Sequence, residues 1–315
     1  MAIVAIDFGG TTIKAGIIGD GRLLCKEYLA AESENGIKPR LLLVKETVDR
    51  MLAKAGLSPA SLTGIGIAIP GIVDFYAKRV LDINKKYKDA LDFDFEGWCK
   101  ENFNLPMIIE NDIKSAIIGE TRYGCCPGAQ DAVLLSFGTG IGTAAIINGK
   151  LLRGKHHQAG CLGGHIAISD DGNDCTCGGK GCVEAESGGW ALPRIAQGFP
   201  GFGDSLLAKE QVLDYKAVMS CAAQNDAVSE GIFQMLIRRW SVGLVNLIHA
   251  YDPEVVILSG GIMKEPERIV PGIEEYVSRY AWTPWGKVRI HVSGNPDASV
   301  LLGLYALCTA ESGEE

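Results

Sequence analysis

The sequence predicts an α/β protein made of two related halves. Three observations carry that prediction: a strand–turn–strand pattern that occurs twice, short buried apolar runs that alternate with helical periodicity, and glycines gathered at the ends of those runs. The chain has 315 residues, which suits two domains of ordinary size. Apolar residues make up 47% and charged residues 22%, enough to fill a core in each half.

The first half opens on a buried strand, Ile3 to Asp7. A Gly9-Gly10-Thr11-Thr12 turn follows, then a strand from Ile13 to Ile18 and the hairpin signal Asp20-Gly21. Leu42, Val44, Val48 and Leu52 set a helical period over 39–55. Gly64 to Ile69 is a second buried run, ended by Pro70-Gly71. Residues 75–105 are polar and aromatic and read as a loop region on the substrate side. Met107 to Ile109 is a short strand, and 113–123 has helical spacing.

The opening pattern then returns. Asp7-Phe8-Gly9-Gly10-Thr11 is echoed by Ser136-Phe137-Gly138-Thr139-Gly140, and Ala15-Gly16-Ile17-Ile18 by Ala144-Ala145-Ile146-Ile147. Two unrelated Gly-rich hairpins would give a similar likeness, so the alternative stays open. Residues 149–190 are loop-rich. A long helical period runs over 228–250 through Ile232, Leu236, Trp240, Leu244 and Leu247, and Pro253 ends it. Val255 to Leu258 is a strand, Gly260-Gly261 opens a helix, and 297–311 reads as a closing helix. No linker separates the halves, so the expected division is a hinge near residue 112. That gives a first domain over 1–112, to which a closing helix at 298–312 returns, and a second over 113–297 with a loop at 160–190.

Composition narrows the function classes. The net charge is −8 and no Lys/Arg cluster of useful size is present, which argues against nucleic acid as a partner. No apolar run reaches about 18 residues, and the first strand meets Asp7 without a basic leader. The expectation is a cytoplasmic chain without a membrane partner. Three of the ten cysteines crowd between 175 and 182, and in such a chain they read as metal ligands before disulfides.

Four groups of residues point to chemistry. The two Gly/Thr turns present successive backbone N–H groups and hydroxyls, the makings of an anion site, although such turns are also common as plain structure. Neither matches the Walker pattern. Asp7 suits Mg²⁺ held through water. Glu110-Asn111-Asp112 closes a buried strand with three polar residues. A carboxylate there suits the removal of a hydroxyl proton during phosphoryl transfer, and Asn111 or Asp112 equally suits a helix N-cap. His165 with Cys175, Cys177 and Cys182 matches a closed Cys₃His zinc site, structural because the protein supplies all four ligands. Glu184, two residues on, is either a hydroxyl-binding acid fixed by that loop or an exposed loop acid. His156 and His157 read as a solvated loop, and Cys125-Cys126 as filler near a turn.

Taken in order, these segments resemble the ROK family of repressors, open reading frames and kinases. The matching pieces are Ala5 to Lys14, Gly66 to Asp74, Glu110-Asn111-Asp112, Phe137 to Gly142, Gly164-His165, Cys175 to Glu184, and Asp252-Pro253-Glu254 running into Leu258 to Gly261. The resemblance implies an actin-like, ribonuclease H-like ATPase fold with duplicated halves around an interdomain cleft. It implies an ATP-dependent sugar kinase, with a binding protein or sugar-sensing regulator as the other class the family contains. Regulators of the family carry a DNA-binding segment ahead of the first strand, for which the start at Ile3 leaves no room.

The resemblance also assigns residues. ATP with Mg²⁺ would be met by Asp7, Gly9, Gly10, Thr11, Thr12 and Lys14, by Gly138, Thr139 and Gly140, and by Gly260 and Gly261. The sugar would lie against Gly71, Asn111, Asp112, His165 and Glu184, with Asp112 as general base. The family commonly forms homodimers or homotetramers. One departure stands out. Glucokinases of the family carry a glutamate three residues before the zinc histidine, and here Leu162 occupies that place, or Cys161 if one residue is inserted. Loss of that acceptor removes a hydroxyl contact, so the expected substrate is a sugar modified at C1 or C2, or a glycoside taken by a wider pocket.

Overall fold

The computed structural model describes residues 1–311. In chain order the elements are β1 (Ala2–Phe8), β2 (Thr12–Gly19), β3 (Arg22–Ala30), α1 (Lys38–Ala55), β4 (Leu62–Ile69), β5 (Ile72–Asp74), β6 (Arg79–Asp82), α2 (Phe95–Phe103), β7 (Met107–Asn111) and α3 (Asp112–Arg122). They continue as β8 (Ala132–Phe137), β9 (Ile141–Ile147), β10 (Lys150–Leu151), α4 (Val183–Ser187), α5 (Leu192–Gln197), α6 (Tyr215–Ala222), α7 (Ala227–Tyr251), β11 (Val255–Ser259), α8 (Pro266–Tyr280), β12 (Arg289–Val292) and α9 (Pro296–Glu311).

Two compact units result. Among the described residues, the first holds 1–129, 151–159 and 294–311. Its sheet runs β3-β2-β1-β4-β7. The β1–β2 and β2–β3 pairs are antiparallel, joined at the second by Asp20 and Gly21, both at positive φ (49° and 71°) as a tight primed turn requires. The β1–β4 and β4–β7 pairs are parallel. On one face Val4, Ile6, Ile17, Ile67 and Ile109 pack with Val44, Val48 and Met51 of α1. On the other lie α9 and α3, with Leu304 against Gly66.

The second unit holds 130–150 and 160–293. Its sheet runs β10-β9-β8-β11-β12, with an antiparallel β8–β9 pair and parallel β8–β11 and β11–β12 pairs, matching β1–β2, β1–β4 and β4–β7. The strand–turn–strand echo read in the sequence is therefore the start of two sheets of one topology. The apolar residues that set the α7 period are all buried, and Trp240 packs on Phe137 with ring centroids 4.7 Å apart. Among the described residues no helix is long and apolar enough to cross a membrane.

Two expectations need correction. The division falls after Ala129, not near 112. Helix α3 packs lengthwise on α9, where a Cβ on Gly119 would overlap the Ser299 carbonyl and Ser299 Oγ donates to the buried Glu120 carboxylate. That contact keeps 112–129 with the first unit. Residues 75–105 are also more than loop: they include β6, which pairs with β5 just before them, and α2, capped by Asp94 accepting from Gly97 N. Phe95, Cys99 and Phe103 of α2 are buried at i, i+4 and i+8, a helical spacing that the loop expectation passed over. Of the expected closing helix, Ser312 lies outside the described residues.

The α3–α9 contact yields a prediction of sign. Gly→Ala inside a helix ordinarily stabilises by about 1 kcal/mol. At Gly303 a Cβ would overlap the Ser115 carbonyl, a backbone atom that cannot swing aside. Gly303→Ala is expected to destabilise by about 1–3 kcal/mol in urea unfolding followed by circular dichroism.

Candidate active site

In the first unit the Gly9–Thr11 turn is tied down by its carbonyls. Tyr87 OH donates to Gly9 O (2.8 Å), Ser33 Oγ to Gly10 O (2.7 Å) and Ala31 N to Thr11 O (3.1 Å). With those acceptors occupied, the turn's free polar character is that of its N–H groups and the threonine hydroxyls, which suits an anion. Gly9 is needed for close approach, since a Cβ there would fall 2.6 Å from Thr12 O.

Asp7 ends β1 just before the turn. Its Oδ2 accepts from Lys14 Nζ at 3.0 Å, and Lys14 also pairs with Asp297 Oδ1 at 3.0 Å. Asp7 Oδ1 is buried and has no hydrogen-bond partner. Burial raises the Asp7 carboxyl above its ordinary range, against the pull of Lys14. An orphaned carboxylate oxygen in such a place fits a hydrated cation.

Asn111 ends β7 and joins four groups. Its Oδ1 accepts from Ile113 N and Lys114 N, both at 3.0 Å, and so caps α3. Its Nδ2 donates to Gly71 O (3.0 Å) and to Asp112 Oδ1 (3.1 Å). Gly71 sits at φ 117°, where a Cβ would overlap the Asp82 carbonyl, so the site demands glycine. Asp112 is the first residue of α3 and also accepts from Ile113 N (2.9 Å). Burial, then the nearby Asp7 charge, raises its carboxyl to about 6, against Ile113 N–H, Lys14 and Lys86. The cap reading of this triplet holds, with Asn111 as the N-cap, and beside it Asp112 is a carboxylate with a perturbed proton affinity.

In the second unit the Gly138–Gly140 turn is held from α4 and the residues after it. Glu184 Oε2 accepts from Ile141 N (2.8 Å), Gly189 N donates to Gly138 O (3.2 Å) and Trp190 N to Thr139 O (2.8 Å). Glu184 is buried, not an exposed loop acid, and its Oε1 accepts from Trp190 Nε1 at 3.1 Å. A Cβ on Gly140 would overlap that carboxylate. Gly260, at φ 103° with Phe137 O against its Cα, leaves bare backbone at the end of β11. Gly261 begins a 3-10 turn that leads to α8, and the space beside it is open.

His165, Cys175, Cys177 and Cys182 gather as expected, with their ligand atoms all within 4.8 Å of one another. Cys175 Sγ lies 3.5 Å from His165 Nδ1, and Cys177 Sγ 3.7 Å from Cys182 Sγ. A tetrahedral zinc with bonds of about 2.3 Å to sulfur and 2.05 Å to nitrogen has edges of about 3.8 and 3.6 Å. A disulfide would need about 2.05 Å. The cluster is therefore a site able to hold a metal ion. Gly178 and Gly181, at φ 89° and 62°, bend the loop around it. Thr143 Oγ1 donates to Gly160 O (2.7 Å) and accepts from Gly163 N (2.8 Å), pinning the approach to His165. Leu162 stays 38% exposed there.

The ROK family model matches residues 3–311. The chain belongs to the ROK family. A glucokinase of Halalkalibacterium halodurans is 29% identical to it over 99% of this chain and 96% of that protein. A xylose repressor of Bacillus subtilis is also 29% identical, over 90% of this chain and 70% of the repressor. Among solved structures, a ROK family glucokinase from Streptomyces griseus in complex with glucose and AMPPNP superimposes with a TM-score of 0.79, at 27% identity, over 98% of this chain and 100% of that one. The fold is accordingly the two-domain actin-like ATPase fold of ROK sugar kinases.

This ROK chain holds polar residues that sequence reasoning missed. Arg153 lies over the Phe75 ring at 4.3 Å and pairs with the fully buried Glu110, from Nε at 2.9 Å and Nη2 at 2.8 Å. Glu110 Oε1 in turn accepts from Asn111 N at 2.9 Å. His157 is not solvated: at φ 61° its Nε2 reaches Asp74 Oδ1 at 3.3 Å, and its carbonyl accepts from Lys114 Nζ at 2.7 Å. Lys86 reaches the Gly10 backbone from within 75–105. Apart from Glu110 with Asn111, none of these pairs is close in sequence. The basic run Lys85-Lys86-Tyr87-Lys88 is the one local hint.

The Asp112 carboxyl is expected to half-titrate near pH 6, against an ordinary 3.8. Carboxyl ¹³C NMR of aspartate-labelled protein, with Asp112→Asn to assign the signal, measures this. Lys14→Met removes a charge that holds the value down, so the midpoint should move up.

Proposed function

We propose that Asp112 is the general base of this chain, an ATP-dependent sugar kinase, and that it takes the proton of the attacked sugar hydroxyl. The observation that carries the reading is the Asp112 carboxyl, oriented by Asn111 and Ile113 N and raised to about 6, in a ROK chain similar to a glucokinase over nearly its whole length. Such a carboxyl is ionised at neutral pH, yet holds a proton far better than an ordinary aspartate, as a base in phosphoryl transfer should.

The other residues divide by unit. Gly9, Gly10, Thr11, Thr12 and Lys14 receive the ATP phosphates in the first, and Asp7 would hold Mg²⁺ through water with its unpartnered oxygen. When bound, the ion neutralises phosphate charge. Gly138, Thr139 and Gly140 contribute further phosphate contacts in the second, and Gly260 and Gly261 lie by the adenosine. Gly71, Asn111, His165 and Glu184 contact the sugar. The metal of His165, Cys175, Cys177 and Cys182 would be zinc. Three thiolates and one imidazole suit it, and as a closed site it contributes folding energy without activating water. Bound through Nδ1, His165 keeps Nε2 for a sugar hydroxyl. The protein works in the cytoplasm as a homodimer or homotetramer.

Leu162 narrows the substrate. An exposed leucine cannot accept from the hydroxyls around C1 and C2, so the pocket takes a sugar modified there or a glycoside. The regulator class, to which the similar xylose repressor belongs, is the weaker reading, because Asp112 is present with a base's proton affinity.

Release of ADP across a sugar panel tests the function. Turnover is expected with hexoses altered at C1 or C2, and a strong preference for free glucose would overturn that specificity. Asp112→Asn should lower kcat by about 10² or more while sugar affinity stays nearly the same. Unchanged kcat would remove Asp112 as base. For the metal, elemental analysis should find zinc, and chelation should lower Tm. Melting that ignores the chelator would remove the zinc assignment.

A further inference from the structure

One cation in the first unit has no part in any motif described above. A Cβ built on Gly10 would overlap the Lys86 ammonium, with Lys86 Cε at 2.7 Å and Cδ at 3.0 Å. The side chain therefore lies directly on the backbone of the Gly9–Gly10 turn. Lys14, the other lysine of this region, is neutralised by Asp7 and Asp297. Lys86 takes part in no ion pair among the described residues. Its charge is uncommitted.

The backbone around Lys86 is held in a disfavoured form. Lys85 and Tyr87, on either side of it, adopt left-handed φ values of 62° and 46°. Such conformations are uncommon for residues with a Cβ, and persist where the surroundings impose them. Here Tyr87 OH bonds Gly9 O, Tyr87 N donates to Ser33 O at 2.7 Å, and Ser33 Oγ bonds Gly10 O. Lys86 N closes a tight turn onto Asn84 O at 2.8 Å. The segment that carries Lys86 and the Gly9–Gly10 turn are thus locked to each other, with one free ammonium on the turn. That ammonium also acts on Asp112, whose carboxyl it helps to hold down.

We propose that Lys86 is a further catalytic residue: its ammonium binds the terminal phosphoryl group of ATP at the Gly9–Gly10 turn and stabilises the charge on that group's oxygens during transfer. This rests on the kinase reading above. In the step itself the sugar hydroxyl oxygen bonds to the terminal phosphorus, the bond from that phosphorus to the bridging oxygen of ADP breaks, and Asp112 receives the hydroxyl proton. Lys86 keeps its protons throughout. A fixed cation aimed at developing charge is the kind of group that accelerates such a transfer without covalent chemistry.

The test compares wild type, Lys86→Met and Lys86→Arg, with calorimetric titration of Mg·ATP and Mg·ADP. Loss of one charge-assisted contact should weaken ATP about tenfold in Lys86→Met and leave ADP within about twofold. The same variant should lose about 10² in kcat with sugar KM little changed, and Lys86→Arg should recover part of the loss. The acid limb of its kcat/KM profile should move to higher pH, since the charges left around Asp112 are those of Asp7 and Lys14. Wild-type ATP affinity and kcat in Lys86→Met would overturn the proposal. Equal weakening of ATP and ADP would also overturn it, because the lysine would then serve the diphosphate. A wild-type chain that turns over no sugar would overturn the kinase reading, and the ATP-against-ADP comparison would still decide Lys86. If neither nucleotide binds wild type, both readings fail.

Discussion

Parallel pairing of β1, β4 and β7 sets where everything in the first unit can be. The register puts Asp7 opposite Ala68, Ala68 opposite Glu110, and Ile69 opposite Asn111. Three chain segments far apart in sequence therefore leave the sheet at one edge: the Gly/Thr turn, Pro70-Gly71 and Asn111-Asp112. Parallel strands all end on the same side, which is why ligand sites in such sheets form at their carboxyl ends. The second sheet repeats the rule. Ser136 pairs with Ser259, so the turn after β8 and Gly260 after β11 are neighbours.

That edge is polar and partly dry, so its hydrogen bonds have to be closed by residues from elsewhere. Asn111 does this for the start of α3, for Gly71 and for Asp112. Glu110, which would be costly to bury alone, is met by Arg153 from the short 151–159 segment. In the second unit the Cys/His loop plays the corresponding part. It leads directly into α4, and from α4 Glu184 holds Ile141 N at the base of the second turn. A change in the loop would therefore reach that turn through one short helix.

Much of this is legible without the fold, and for identifiable reasons. Residues bound by local geometry announce themselves: the glycines of the two turns, the Asn111 cap, the closely spaced cysteines, and the α7 period. Sequence reading fails where a partner comes from far along the chain. His157 reads as solvated because nothing nearby suggests Asp74. Glu184 reads as no more than an even choice because its donors, Ile141 N and Trp190 Nε1, cannot be seen. The α2 helix is a different case: its buried Phe95, Cys99 and Phe103 keep helical spacing, but over nine residues only.

The sequence by itself determined the family, the repeated strand–turn–strand halves, the four metal-ligand candidates and Asp112 as a candidate carboxylate, since each depends on residue type and short spacing. The tertiary structure alone decided the division after Ala129, the closure of Glu110 by Arg153 across 43 positions, and the arrival of Lys86 on the Gly10 backbone. The physical reason is the same in each case. A helix packed on a helix, or a cation laid on a turn, is chosen by space and charge in the folded chain, and neither leaves a period in the sequence.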